Sequence, residues 1–336
     1  MPARAAELTR RLSDGLDRVM AGNEPARLAF LIALLGNGHI LLEGVPGTGK
    51  TLFVRMMAEL LGAPFKRIQF TPDLMPADVV GTTVFNPQTA EFSLRRGPIF
   101  TSLLLADEIN RTPPKTQSAL LEAMEERQVT IDGESEPLPP LFIVCATQNP
   151  IEFEGTYPLH EAQLDRFLVR ARTEYPSEAE ERALFARSVG GFDARDLAGA
   201  GVEQVATIDD VLAAQHEARA IYVAESLQGY VYEIVKATRA SRDLALGASP
   251  RSALGLLLAA QASAAIEGRD FATPDDVKSV APLVLPHRLI VRPEAEVEGL
   301  RAETILDRLL AAIPVPRDVG RPATPGDVGP ATSLEA

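Results

Sequence analysis

The feature that most constrains this chain is a glycine-rich octapeptide that follows a short apolar stretch and precedes an amphipathic one. It runs Gly44-Val45-Pro46-Gly47-Thr48-Gly49-Lys50-Thr51 and fits the pattern G-x-x-x-x-G-K-[ST]. In such a loop, backbone N–H groups at a helix N-terminus surround the phosphates of a nucleotide, and the glycines permit the close approach. We expect Lys50 to reach the β- and γ-phosphates and the Thr51 hydroxyl to bind Mg²⁺. The octapeptide therefore predicts a P-loop that binds ATP and Mg²⁺.

Two adjacent carboxylates, Asp107 and Glu108, end an apolar stretch further along the chain. The stretch has the pattern of a buried strand, and open α/β sheets bind ligands at the carboxyl ends of their strands. We expect Asp107 to hold Mg²⁺ through water and Glu108 to act as general base toward the attacking water. An acidic pair after a strand is more often a solvated turn. The P-loop upstream favours the catalytic interpretation.

Short apolar stretches alternate with helical patterns between residues 37 and 171. The predicted strands are 39–43, 67–70, 103–107 and 141–147, and the predicted helices between them are 50–61 and 115–127. Each predicted strand is apolar on both faces, which suits a parallel sheet covered by helices on both sides. The pattern therefore predicts an α/β fold with a doubly wound parallel sheet.

Helical patterns follow residue 175, and four of them begin with a capping hydroxyl, at Ser177, Thr207, Ser249 and Thr273. The helix after Ser249 carries a predicted apolar stripe of Leu254, Leu257, Leu258, Ala262, Ala265 and Ile266. We expect a nucleotide-binding core over residues 1–204 and a small all-helical domain over 205–313. The proline- and glycine-rich residues 314–336 are predicted to be a mobile tail.

Composition narrows the classes of protein that remain. The net charge is −13 with a pI near 4.9, which argues against non-specific nucleic-acid binding because that needs a cationic surface. The longest purely apolar run, residues 28–35, is too short to span a bilayer, and no signal-peptide pattern is present. The single cysteine, Cys145, lies in an apolar stretch and is expected to pack in the core. We therefore expect a cytoplasmic protein without disulfides.

Several longer motifs resemble those of the MoxR family of AAA+ ATPases. They are residues 38–47, 107–124, 146–150, 161–167 and 247–251. The resemblance extends from about residue 23 to about residue 310, and it implies an AAA+ core followed by a helical lid. It also implies that Asn149 is sensor 1, that Arg166 is an arginine finger acting on a neighbouring subunit, and that Arg251 is sensor 2. The alternatives are a salt bridge from Arg166 to Asp165 and an ordinary surface position for Arg251.

The resemblance also gives meaning to two insertions in the core. Residues 72–98 are expected to be the helix-2 insert, a β–α–β flap that faces the pore of a ring. Residues 128–140 are expected to be the hairpin before sensor 1, with Asp132-Gly133 as its turn. Neither insertion contains the aromatic–hydrophobic–glycine loop with which threading unfoldases grip peptides.

The family typically forms hexameric rings that remodel or mature partner proteins or load metal into them, often with a companion that carries a von Willebrand A domain. This function is implied by the resemblance alone. Three alternatives stay open: a nucleic-acid motor, a chelatase-type motor subunit and a slow nucleotide-switched scaffold. The acidic charge and the absence of lysine and arginine from residues 128–140 argue against the nucleic-acid motor.

Overall fold

A computed structural model describes residues 3–20, 22–88, 90–149, 155–194, 196–197 and 199–318. Within these residues, five parallel strands form a sheet in the order β2-β5-β8-β1-β9. The strands of this sheet are β1 (Ile40–Gly44), β2 (Phe65–Gln69), β5 (Leu103–Asp107), β8 (Ile143–Gln148) and β9 (Val169–Thr173). The predicted α/β fold with a doubly wound parallel sheet is confirmed.

Helices precede and connect these strands. They are α1 (Ala3–Asp17), α2 (Glu24–Gly36), α3 (Lys50–Leu60), α4 (Pro76–Val80), α5 (Pro114–Glu126) and α6 (Glu161–Leu164). Helix α7 (Glu178–Val189) follows β9 and contains no buried residue. Side chains of β1 alternate between two apolar clusters, with Ile40 and Leu42 in one and Leu41 in the other. Cys145 is fully buried in the first cluster, as expected. Each face of the sheet therefore has its own core.

Strand β2 departs from the prediction that every strand is apolar on both faces. It lies at the edge of the sheet, and within it only Ile68 is buried. Strand β9, at the other edge, was not predicted at all. Its arginines Arg170 and Arg172 alternate with buried Val169 and Ala171. An edge strand has a neighbouring strand on one side only, so its side chains are more accessible to water. Its sequence is therefore less apolar than that of a central strand.

The insertion at residues 72–98 does not have the predicted β–α–β order. The short helix α4 comes first, and the antiparallel hairpin of β3 (Gly81–Asn86) and β4 (Glu91–Arg96) follows it. Gly81 ends the helix at a φ of 105°, where a Cβ atom would lie 2.4 Å from the Arg95 carbonyl oxygen. Residues 128–140 do contain a hairpin, of β6 (Gln128–Ile131) and β7 (Glu134–Pro137). Asp132 and Gly133 form its turn with positive φ angles.

The second part of the chain is mainly helical. Its elements are α8 (Ile208–Arg219), α9 (Glu225–Ala240), β10 (Leu244–Leu246), α10 (Pro250–Ile266), α11 (Pro274–Val284), β11 (Ile290–Val291), α12 (Pro293–Val297) and α13 (Ala302–Ala312). Strands β10 and β11 form a small antiparallel sheet, which the all-helical prediction did not include. The hydroxyls of Thr207, Ser249 and Thr273 cap their helices as predicted. Most of the predicted tail, from residue 319 onward, lies outside the described residues.

No helix within the described ranges is sufficiently long and apolar to cross a membrane. One of the two apolar clusters continues from the sheet into the second part of the chain. Helices α1 and α2 share one cluster with residues of α8, α10 and α11. The two parts of the chain are therefore packed together over one face of the sheet.

Helix α10 gives a test of this packing, because two of its leucines lie two residues apart on different faces. Leu256 is fully buried, whereas Leu254, predicted to be on the apolar stripe, is 69% exposed. We expect Leu256→Ala to lower the free energy of unfolding by about 2–5 kcal/mol. Leu254→Ala should change it by less than about 0.5 kcal/mol. Urea denaturation of both variants measures the difference, and equal losses would contradict the observed orientation of α10.

Candidate functional site

The P-loop connects the end of β1 to the start of α3. Gly47 and Gly49 have φ angles of 83° and 80°, in the left-handed region that glycine adopts without strain. The Lys50 ammonium donates hydrogen bonds to the carbonyl oxygens of Gly44, at 2.9 Å, and Val45, at 2.7 Å. Its pKa is lowered by burial, which outweighs the opposing charges of Asp107 and Glu108. The lysine thus lies between its own loop and the two predicted carboxylates.

The first glycine of the loop has a different role from the others. Gly44 pairs with Thr173 of β9, and a Cβ atom on it would lie 2.1 Å from the Thr173 hydroxyl and 2.3 Å from the Thr173 carbonyl oxygen. A Cβ atom on Gly47 would meet nothing within 4 Å. Gly44 is therefore required by the packing of the sheet, whereas Gly47 is required by the local backbone conformation.

Thr147, near the end of β8, organises the two carboxylates. Its hydroxyl donates to Asp107 Oδ1 at 2.5 Å and accepts from the backbone N–H of Glu108 at 2.8 Å. Glu108 has a φ of 57° and a ψ of 51°, a left-handed conformation that is uncommon for a residue with a side chain. The turn after β5 is thus held in one conformation, in which Glu108 lines the same cleft as Asp107.

Strand β2 contributes side chains that the sequence did not reveal as part of the site. Arg67 forms an ion pair with Asp107 at 2.7 Å, and the Gln69 amide donates to Glu108 Oε2 at 2.7 Å. The register places Gln69 opposite Asp107. Arg67 and Gln69 are two residues apart on β2, so their side chains lie on the same side of the strand and contact the two adjacent carboxylates. The strand order would have predicted these contacts, because it makes β2 the neighbour of β5.

The P-loop, the acids and the predicted sensor 1 line a single cleft at the carboxyl edge of the sheet. The lining residues are Gly44, Pro46, Gly47, Thr48, Gly49, Lys50, Thr51, Leu52, Arg67, Gln69, Asp107, Glu108, Thr147, Gln148 and Asn149. Asn149 is buried directly after β8. Thr51 and Asp107 provide the hydroxyl and the carboxylate that Mg²⁺ takes when phosphates and water complete its shell. The residues present therefore fit a Mg²⁺–nucleotide complex.

The two predicted arginines, Arg166 and Arg251, are not among the residues that line this cleft. Both bind Glu125 at the end of α5, Arg166 at 2.7 Å and Arg251 at 2.9 Å. The alternative salt bridge from Arg166 to Asp165 does not form, because Asp165 binds the buried Arg288 at 2.7 Å. The structure brings the two arginines together, but it separates them from the P-loop of their own chain.

Two family models match the chain at the positions of the cleft and the helical part. Residues 39–169 match the ATPase family associated with various cellular activities (AAA), and residues 236–309 match the AAA lid domain. The first match contains the P-loop, both carboxylates and Arg166, and the second contains Arg251.

Individual proteins are similar over almost the whole chain. YeaC from Bacillus subtilis, an uncharacterized protein, is 48% identical over 90% of this chain and 92% of its own length. Chaperone MoxR1 from Mycobacterium tuberculosis is 43% identical over 89% of this chain and 80% of its own length. The crystal structure of a provisionally assigned ATPase from Cytophaga hutchinsonii superimposes with a TM-score of 0.85 at 39% identity. The superposition covers 94% of this chain and 98% of the chain from Cytophaga hutchinsonii.

The contrast between Gly44 and Gly47 gives a second prediction. Gly44→Ala should lower the free energy of unfolding by more than about 2 kcal/mol, because β1 and β9 must move apart to admit the methyl group. Gly47→Ala should cost about 1–2 kcal/mol, the strain of a left-handed alanine. Denaturation in urea without added nucleotide measures both losses. A smaller loss for Gly44→Ala than for Gly47→Ala would show that the β1–β9 contact is not what requires Gly44.

Proposed function

Because this chain belongs to the MoxR family of AAA+ ATPases, we propose that it hydrolyses ATP in the cleft after β1, β5 and β8 and uses the energy to remodel partner proteins. One observation carries the enzymatic part of this proposal. Lys50 at the start of α3, the adjacent Asp107 and Glu108 at the end of β5, and Asn149 after β8 line one cleft. Convergence of a phosphate-binding cation with a candidate base and a neutral amide is the arrangement that phosphoryl transfer to water needs.

Each side chain in the cleft has a distinct role in this mechanism. The loop N–H groups and Lys50 hold the phosphates, and Glu108 takes the proton of the attacking water. Asn149 orients that water or a γ-phosphate oxygen. Thr51 and Asp107 would hold Mg²⁺, which neutralises charge on the β- and γ-phosphates when bound. Thr147 bonds to both Asp107 and Glu108 and fixes the turn between them, so that one carboxylate stays available for Mg²⁺ and the other for water.

Arg166 and Arg251 act on the neighbouring subunit's nucleotide in the proposed assembly, a hexameric ring. The support is their position, since both side chains bind Glu125 and neither lines the cleft of its own chain. A guanidinium supplied across an interface stabilises the charge that develops on the transferred phosphoryl group. ATP then promotes assembly, because its γ-phosphate is a contact shared by two subunits.

The clients are proteins, with chaperone-like remodelling, maturation or metal-cofactor loading as the outcome. The relative named chaperone MoxR1 supports a chaperone-like role. Partners with a von Willebrand A domain are proposed from the family resemblance alone. The acidic hairpin β6–β7 fits a protein client better than DNA, because residues 128–140 carry three carboxylates and no lysine or arginine. Turnover that rises with a protein partner, and not with DNA, separates this role from that of a nucleic-acid motor. A chelatase-type subunit would respond to its porphyrin-binding partner, and a scaffold would turn over slowly with any addition.

Two substitutions in the cleft separate nucleotide binding from hydrolysis. Lys50→Ala should abolish ATP binding, because it removes the cation that faces the β- and γ-phosphates. Glu108→Gln should retain binding and lose turnover, because it removes only the base. Isothermal titration and a phosphate-release assay measure the two properties. Turnover of Glu108→Gln within about threefold of the unaltered protein would exclude Glu108 as the base.

The assignment of Arg166 to a neighbouring site predicts complementation. Arg166→Ala should bind ATP normally and hydrolyse it about 10³-fold more slowly, the loss typical of an arginine finger. Mixed with Glu108→Gln, it should regain activity, since some interfaces then combine an intact cleft with an intact Arg166. Phosphate release from the mixture is the measurement. Co-assembled variants that stay inactive would contradict either the trans role or the independence of the sites.

A further inference from the structure

Two arginines from distant parts of the sequence share one carboxylate on the surface of the protein. Arg166 lies just after α6, and Arg251 is the second residue of α10. Arg166 Nε donates to Glu125 Oε2 at 2.7 Å, and Arg251 Nη1 donates to Glu125 Oε1 at 2.9 Å. The pKa of Glu125 is lowered, chiefly by its hydrogen bond to Arg166. The carboxylate is therefore ionised and uses one oxygen for each arginine.

The backbones that carry the two arginines are anchored independently of Glu125. Asp165, next to Arg166, accepts from the buried Arg288 at 2.7 Å and from the Ser249 hydroxyl at 3.2 Å. Ser249 is the N-cap of the helix that carries Arg251. The main chains at both positions are thus tied to each other, and the directions of the long arginine side chains are what remains to be fixed.

Glu125 fixes those directions by bonding to both guanidinium groups at once. Arg166 Nε and Arg251 Nη1 each bond to one oxygen of Glu125. The distance between these nitrogens is at most the sum of the two hydrogen bonds and the spacing of the two carboxylate oxygens. At that separation the two cations repel each other, and the carboxylate between them offsets the repulsion. All three side chains remain partly accessible, with exposed fractions of 28% for Arg166, 45% for Arg251 and 38% for Glu125. A phosphate arriving from outside can therefore reach both arginines.

We propose that Glu125 is a positioning residue that holds Arg166 and Arg251 side by side as one unit for the γ-phosphate of the neighbouring subunit. This role rests on the proposed function, because it presumes that the two arginines act across a subunit interface. Glu125 does not contact the nucleotide of either subunit. It acts by preorganisation: an arginine already oriented loses less side-chain freedom when it binds the phosphate.

The main test is Glu125→Gln, which keeps the shape of the side chain and removes its charge. ATP affinity should stay within about twofold, because the P-loop is remote from Glu125 and retains its own contacts. Turnover should fall about 10- to 100-fold, as expected for loss of charge-assisted hydrogen bonds. Glu126→Gln is the matched control, since this exposed neighbour on α5 undergoes the same change of charge, and its turnover should be unaltered. Glu125→Asp keeps the charge and should retain more activity than Glu125→Gln.

Mixing experiments separate a positioning role from a general loss of folding. Glu125→Gln mixed with Glu108→Gln should regain activity, because the first chain supplies an intact cleft and the second an intact arginine pair. Glu125→Gln mixed with Arg166→Ala should stay inactive, since both lack the same half of the site. In a chain that already carries Arg166→Ala, the second substitution Glu125→Gln should cause little further loss of turnover.

Three outcomes would overturn the proposal. If Glu125→Gln has normal turnover while Arg166→Ala is inactive, Glu125 does not position the arginine, and the proposed function stands. Turnover above that of the unaltered protein would mean that Glu125 restrains the arginines and does not prepare them. If Arg166→Ala itself is fully active, both the role of Glu125 and the trans role of Arg166 are wrong.

Discussion

The parallel pairing of β1 with β8 on one side and β9 on the other is the constraint on which the cleft depends. The register places Ile40 opposite both Cys145 and Val169, so these strands end together at one edge of the sheet. Because side chains along β1 alternate between two apolar clusters, a shift of one residue would move Ile40 and Leu42 into the cluster that holds Leu41 and disrupt the close packing of both. The close approach of Gly44 to Thr173 adds a steric requirement to this register. Packing of the sheet therefore decides where the P-loop begins.

Helix α5 connects the turn that carries Glu108 to the carboxylate of Glu125, which binds Arg166 and Arg251. It begins shortly after the turn that carries Glu108 and ends with Glu125 and Glu126. Its 13 residues give it a length of about 20 Å, so the acidic pair and the arginine pair are held apart by a rigid element. In this conformation the two arginines that bind the far end of α5 do not line the cleft of their own chain. In the proposed ring, each interface would combine the cleft of one subunit with the arginines of the next.

The sequence predicted those parts of the structure that local patterns determine. The P-loop, the acids after β5 and the helix caps at Thr207, Ser249 and Thr273 all depend on residues within a few positions of each other. Strand β9 escaped prediction because Arg170 and Arg172 make it polar, and these arginines form ion pairs with Glu43 and Glu303 from other elements. Leu254 was assigned to the wrong face of α10 because the small residues of that helix, chiefly alanines, also pack in the core.

Contacts between distant segments were beyond the reach of sequence patterns, and they have consequences for motion. Arg288 is buried and binds Asp165 and the carbonyl oxygens of Phe167 and Leu168. Breaking a buried pair of this kind costs about 3–5 kcal/mol, because it leaves a charge without a partner. The helical part also shares an apolar cluster with α1, α2 and the sheet. We therefore expect the core and the helical part of one subunit to move as a unit. In the proposed ring, rearrangement driven by nucleotide should then occur between subunits, where the partly buried arginines that share Glu125 would lie.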